Sequence, residues 1–237
     1  MEGEEIVNIE KMFEMQKELD ERIIREHGLE GQDLLPNTVL ALQVEIAELA
    51  NEWRGFKHWS HRQTPEVETE VCDYCGEDVD YTRPSPFLAN AGASMCKACW
   101  DMTQTEYAAS NGEYIPDFED YPHFVKKVPY KMLMEYVDCL HFFLSVARQI
   151  KYPLDDLIHL HAENLEEGPL VYVFIELLQH VGWLALHIHP EVRKRAFEFA
   201  FVGFVNLGKR LGFSPEQIEQ AYLEKNQINH ERQSTGY

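Results

Sequence analysis

The feature that most constrains this chain is a pair of carboxylates repeated in two otherwise apolar helical stretches, Glu45-x-x-Glu48 in LALQVEIAELA and Glu135-x-x-Asp138 in MLMEYVDCLHFFLSV. Residues three apart lie on the same side of an α-helix, so two such helices packed face to face converge four acidic groups. Between Met132 and Val146 the only other ionisable side chains are Tyr136, Cys139 and His141, so the neighbours of Glu135 and Asp138 carry both toward a core. Carboxylates withdrawn from water without a partner are costly or take up a proton, and hard cations such as Mg2+ are the usual compensation. One E-x-x-E alone is ordinary on a solvated helix face. Its repetition on two apolar helices is what points to metal.

Helical text dominates the rest. Ile6 to Glu26 places Ile9, Met12, Phe13, Leu19, Ile23 and Ile24 at helical spacing and closes on His27-Gly28. A second helix is expected from about Pro36 to Gly55, with Asn37 or Thr38 as N-cap. Others are expected from Pro129 to Lys151, over a Pro153-led segment to about Glu166, from Gly168-Pro169 onward, and from Glu191 to Leu211. The last helix has a full start signal in Ser214-Pro215-Glu216-Gln217, an N-cap, a first-turn proline and a capping-box partner. These features predict an all-α antiparallel bundle.

The pattern breaks between His61 and Lys127. That stretch shows no sustained helical periodicity and is punctuated by prolines, so it reads as an insertion with its own small fold. Residues 1–60 and 128–237 are then the all-α domain, and 61–127 an inserted module. Cys72-x-x-Cys75 and Cys96-x-x-Cys99, separated by 20 residues, have the spacing of a four-thiolate zinc ribbon. Four sulfur ligands leave no open coordination position, so this Zn2+ is expected to be structural. Acidic residues outnumber Arg83 and Lys97 around it, which argues against nucleic acid as its partner. Cys139, next to Asp138 on an apolar helix, reads as a small core residue.

A net charge of −20 excludes proteins that coat nucleic acid or bind anionic membranes, and it means that a polyanionic substrate must enter with metal. The N-terminal MEGEEIVNIEK is acidic where a secretory signal would be basic and then apolar, so a cytoplasmic location is expected. Pro169 to Ile188 approaches membrane-spanning length but contains Glu176, Gln179, His180 and His187, which favours a core or subunit-interface helix. On the C-terminal helix, Tyr222, Lys225, Asn226, Asn229, Arg232 and Gln233 form one polar face on which Lys225 and Arg232 suit phosphate oxygens.

Four ordered motifs carry a family resemblance: Gln43-Val-Glu45-Ile-Ala-Glu48-Leu-Ala-Asn51-Glu-Trp53; Phe56-Lys57-His-Trp59-Ser60; Glu135-Tyr-Val-Asp138-Cys-Leu-His141-Phe142; and Lys225-Asn226-x-x-Asn229-x-x-Arg232-Gln233-x-x-Gly236-Tyr237. Together they resemble the dimeric, all-α dUTPase family of the wider MazG-like nucleoside triphosphate pyrophosphohydrolases. The resemblance spans the chain except for the cysteine-bearing insertion. It implies Mg2+ held by Glu45, Glu48, Glu135 and Asp138, with Glu48 also orienting the attacking water. It further implies a homodimer and hydrolysis of dUTP, with dUDP also accepted.

For the base, the resemblance makes Gln16 and Asn226 the edge contacts and Trp59 the stacking partner. Lys57, Lys225, Asn229 and Arg232 complete the substrate contacts. Asp20 stands where relatives are expected to carry asparagine, so a related enzyme for dCTP or mixed nucleotides is the nearest alternative. A zinc-ribbon adaptor on an inactive bundle is a more distant one.

Overall fold

The computed structural model describes residues 8–85, 93–112, 115–120, 128–160 and 168–236. Two compact units divide the chain, Met1–Pro65 with Lys131–Tyr237 and, between them, Glu66–Tyr130.

The first unit is helical: α1 (Ile9–Glu26), α2 (Leu35–Trp53), and, later in the sequence than α3 (Lys97–Asn111) of the other unit, α4 (Tyr130–Gln149), α5 (Leu154–Ile158), α6 (Leu170–Leu186), α7 (Pro190–Leu211) and α8 (Pro215–Thr235). Ile6, expected to open the first helix, lies outside the described residues, as do 161–167 of the segment following Pro153. In α1 the Asn8 side chain accepts from the Lys11 N–H, and Met12, Gln16 and Leu19 form the buried stripe. A glutamine on that stripe is a polar group in an apolar position.

The start of α2 corrects the sequence expectation. The helix begins at Leu35, one residue before Pro36, and neither Asn37 nor Thr38 caps it. Proline is tolerated in a first turn, where its missing N–H would be unpaired anyway. The Asp33 carboxylate takes the Leu35 N–H at 3.2 Å, and Thr38 Oγ bonds back to the Leu34 carbonyl at 3.0 Å. By contrast, α8 starts with a complete capping box: Ser214 accepts from the Gln217 N–H at 3.3 Å and Gln217 accepts from the Ser214 N–H at 2.9 Å.

Helix α6 packs along both α2 and α7, and α1 packs along α8. The most buried element is α4, which contributes Met132, Leu133, Tyr136, Val137, Cys139, Leu140, Phe143, Leu144, Val146 and Ala147 to the core. Phe143 meets Phe197, Phe201 and Phe204 of α7, and Tyr136 stacks on Phe204 at 4.2 Å. Burying side chains of this size contributes about 1.5–3 kcal/mol each. Gly208 permits the close approach of α4 and α7, since a Cβ there would lie 2.5 Å from the Tyr136 hydroxyl. Among the described residues no helix is long and apolar enough to cross a membrane.

The second unit contains two small antiparallel ladders. β1 (Glu70–Val71) pairs with β2 (Asp78–Val79), and β3 (Thr82–Pro84) pairs with β4 (Ser94–Cys96), in the register Arg83 opposite Met95. It also contains α3 (Lys97–Asn111), where no sustained helical periodicity was expected. The reason is that α3 is organised around a cysteine cluster: Cys96 is its N-cap, and Cys99 and Trp100 join Cys72, Met95, Cys96, Ile115 and Phe118 in the core.

Candidate active site

Helices α2 and α4 bring Glu45, Glu48 and Glu135 together, with one carboxylate oxygen from each lying within 4.8 Å of the others. Burial, then repulsion from Asp138, Glu48 and Glu135, pushes Glu45 up to about 7. Burial, then Asp138 and Glu48, does the same to Glu135. Two carboxyls raised so far, beside a third, form a site whose mutual repulsion a cation would relieve. Oxygen-only donors suit a hard ion such as Mg2+.

The fourth carboxylate is arranged differently. Asp138 Oδ2 accepts from Lys225 Nζ at 2.5 Å, both side chains being largely buried. Burial raises Asp138 above the ordinary aspartate range, and the Lys225 hydrogen bond and the Arg232 charge oppose this. Asp138 is close enough to perturb Glu45 and Glu135, but its nearest partner is the lysine rather than the carboxylate trio.

Gln16 lies at the centre of a buried polar network. Its Nε2 donates to Asp20 Oδ1 at 2.7 Å and to Ser145 Oγ at 3.0 Å. Its Oε1 is 2.6 Å from His141 Nδ1 and 3.1 Å from the Tyr222 hydroxyl, whose single proton is shared with the Met12 carbonyl at 3.0 Å. Arg148 donates to Asp20 Oδ2 at 2.5 Å, and Ser145 donates to Asp20 Oδ1 at 2.8 Å. Burial raises Asp20 and lowers His141 to about 3, so the imidazole is neutral. His141 stacks on Tyr222 at 4.0 Å.

Two atoms at this seam have no hydrogen-bond partner, His141 Nε2 and Asn226 Nδ2. A buried polar atom left unpaired costs about 1–3 kcal/mol. In a folded chain such atoms call for a partner, whether an ordered water, an ion or a ligand.

Of the remaining residues expected at the site, Arg232 of α8 is close enough to Asp138 to lower it, and Lys57 and Trp59 lie just beyond α2. Trp59 is 68% exposed, edge-on to Phe56 and His58. Lys57 donates to the Asn51 carbonyl at 3.2 Å and lies 5.6 Å from the centre of the Phe56 ring. An open cleft of about 660 Å³ is lined by Asn51, Arg54, Phe56, Lys57, Trp59, Ser60 and His61. Asn229 and Arg232 are half-buried on α8. The α8 face is therefore not uniformly solvated: Tyr222 and Asn226 turn inward, and Gln233 bonds His27 of α1 at 3.0 Å. Tyr237, the last residue of the C-terminal motif, lies outside the described residues. Ser145 and Arg148 were not anticipated, although their i+4 and i+7 spacing from His141 places all three on one helix face.

In the second unit, the sulfurs of Cys72, Cys75, Cys96 and Cys99 lie within 4.8 Å of one another, unbridged by disulfides. The Cys75 and Cys96 sulfurs are 3.9 Å apart, close to the roughly 3.8 Å edge of a tetrahedron built on Zn–S bonds of about 2.3 Å. Gly76, with φ +74°, makes the tight turn that lets its N–H reach the Cys72 carbonyl at 2.8 Å. Cys72 is drawn down to about 6: burial opposes this, but backbone donors at Cys75, Cys96 and Tyr74 outweigh it. Burial and then the neighbouring sulfurs raise Cys99. Such a set suits a single thiophilic cation, and Zn2+ fits it.

A family model described as dUTPase matches residues 8–75 and 112–237, passing over the intervening stretch that holds Cys96 and Cys99. No curated protein matches the chain.

Proposed function

The chain belongs to the dUTPase family, and from that premise we propose that it hydrolyses dUTP to dUMP and pyrophosphate in an Mg2+-dependent reaction, with dUDP as a further substrate. The observation that carries this is the convergence of Glu45, Glu48 and Glu135, two of them pushed up to about 7 by burial and mutual repulsion. A polyphosphate would only add to that repulsion unless cations came with it.

Glu45, Glu48, Glu135 and Asp138 would hold the metal. When bound, Mg2+ supplies charge neutralisation on phosphate oxygens and acidifies bound water. The chain's own groups do the rest. Glu48, the most exposed of the trio, orients the attacking water and takes up its proton. Lys225 and Arg232 meet phosphate oxygens, Lys225 as a point charge and Arg232 through its planar fork. Lys57 and Trp59 border the open cleft, where Lys57 adds charge and Trp59 offers a flat face to the base. Asn226 and Asn229 supply polar groups for the pyrimidine and sugar, while Gln16, expected at the base edge, has both ends of its amide taken up by Asp20, Ser145, His141 and Tyr222 and acts from behind.

In the proposed domain arrangement, 1–60 with 128–237 is catalytic and 61–127 is a zinc module. The apolar residues exposed on α6 and α7, among them Tyr172, Leu186 and Phe199, support a homodimer.

The experiment is pyrophosphate release from dUTP, dCTP, dTTP and UTP by zinc-loaded protein, with Mg2+ and with chelator. Rapid Mg2+-dependent cleavage of dUTP is the expected result. Cleavage that survives both chelation and Glu48→Gln would refute the metal mechanism, and silence across the panel would refute the hydrolase assignment.

A further inference from the structure

The two unpaired atoms in the bundle form a complementary set, and the network behind them determines its sense. Asp20, ion-paired to Arg148, has only lone pairs to offer. The end of the Gln16 amide that faces it must therefore be the NH2 group, which fixes the other end as the carbonyl. That carbonyl faces His141 Nδ1 at 2.6 Å, so the imidazole must carry its proton there. A neutral ring with Nδ1–H has a bare lone pair on Nε2. The amide orientation and the tautomer thus follow from the charge on Asp20 and not from the placement of amide atoms.

Helices α4 and α8 run past each other with Tyr222 against His141 and Lys225 against Asp138, so Asn226 enters the same seam one turn beyond Tyr222. His141 and Asn226 are 3% and 5% exposed, and the orphan atoms are an acceptor, His141 Nε2, and a donor, Asn226 Nδ2. The Tyr222 backbone lies near enough to favour a proton on the ring, but no hydrogen bond of ordinary geometry joins it to Nε2.

Building on the hydrolase assignment above, we propose that Asp20 is a positioning residue for base choice: held by Arg148, it orients Gln16 and so presents His141 Nε2 as an acceptor beside the Asn226 donor. That pair matches an imide edge, whose ring N–H donates to Nε2 while the adjacent carbonyl accepts from Nδ2. Cytosine offers a ring lone pair where the N–H should be and an amine where the carbonyl should be, so both contacts become repulsive. Aspartate in place of the expected asparagine at position 20 then serves base selection instead of weakening it. Arg148 and Ser145 act through Asp20 and Gln16.

Two measurements on the full-length, zinc-loaded protein test this. Nitrogen-15 NMR of histidine-labelled protein, with His141 identified by its proximity to the Tyr222 ring, is expected to show Nδ1 protonated and Nε2 bare at neutral pH. Asp20→Asn is expected to lower the dUTP-to-dCTP ratio of kcat/KM by about tenfold or more, because loss of a polar match is penalised far more than a change of shape. If that variant fails to fold, Ser145→Ala, which leaves the Asp20–Arg148 pair intact, is expected to shift the ratio in the same direction by a smaller factor. A protonated Nε2, or an unchanged ratio in a folded variant, overturns the proposal while leaving the hydrolase assignment standing. Wild-type protein that cleaves neither nucleotide overturns both.

Discussion

Lys225 donates to Asp138 across 2.5 Å with only 14% of either side chain exposed. The residue expected to meet phosphate is thus held by one of the carboxylates expected to meet metal. A cation between phosphate and Asp138 would compete for both partners, so metal binding, nucleotide binding and the breaking of this pair are coupled.

Lys225→Met removes a positive charge from a group of carboxylates and leaves Asp138 largely buried without its donor. Truncating one partner of a buried charged hydrogen bond costs about 2–5 kcal/mol. Accordingly, kcat/KM should fall by about 100-fold or more, and the Tm in chelator should drop. Steady-state kinetics and thermal denaturation measure the two effects; a change in kcat/KM below about threefold would show that the lysine serves the fold alone.

Metal affinity should depend steeply on pH. Glu45 and Glu135 are raised to about 7, and a cation must displace whatever protons they hold. Below pH 7 binding therefore releases between one and two protons, and the apparent Mg2+ affinity should weaken by about tenfold or more per unit of pH. In the metal-free protein the sign is opposite: because both folded values lie above the ordinary 4.5, their contribution to stability is present at low pH and is lost as pH rises toward 7. After discounting for partial exposure, this is about 1–2 kcal/mol per group. Buried neutral His141 has the reverse dependence, so the clean measurement is calorimetric titration with Mg2+ at pH 6 and 7.5 in buffers of different ionisation enthalpy. Equal affinities and no proton release would contradict the assignment.

Removing zinc should unfold the unit from Glu66 to Tyr130 and leave the bundle intact. Three of the seven core residues described in it are the cysteines Cys72, Cys96 and Cys99, and a structural zinc site contributes roughly 10–16 kcal/mol to folding. Cys99→Ser is expected to lose about one equivalent of zinc and to admit protease between residues 66 and 130. Limited proteolysis with metal analysis checks it; a resistant, metal-free variant would mean that the thiols pack without an ion.

The exposed apolar residues of α6 and α7 predict self-association. Leu186 is 79% and Phe199 65% exposed, with Tyr172, Ile175 and Ile188 also more than half exposed. Leu186→Glu together with Phe199→Glu should convert a dimer to a monomer in light scattering after gel filtration. A wild-type protein that is already monomeric would refute the dimer.

Much of the architecture was legible because its signals are local. The capping box at Ser214 and Gln217, the two acidic pairs and the two C-x-x-C pairs each act over three or four residues. Helix α3 was not legible, because its buried face is formed around cysteine ligands instead of a repeating apolar stripe. The start of α2 was missed because asparagine and threonine after proline resemble a cap, whereas Asp33, upstream of the helix, supplies the bond.

The sequence by itself determined an all-α bundle with an inserted four-cysteine unit, and which carboxylates and basic groups share a helix face, since helical periodicity fixes those relations. Only the tertiary structure decided that Asp138 pairs with Lys225, that Glu45 and Glu135 are raised to about 7, and that Asp20, Gln16 and His141 form one chain of hydrogen bonds. Apart from the Gln16–Asp20 contact within α1, those relations join residues about 90 to 130 positions apart along the chain. They depend on burial and on the direction of each donor, and both arise only when the helices pack.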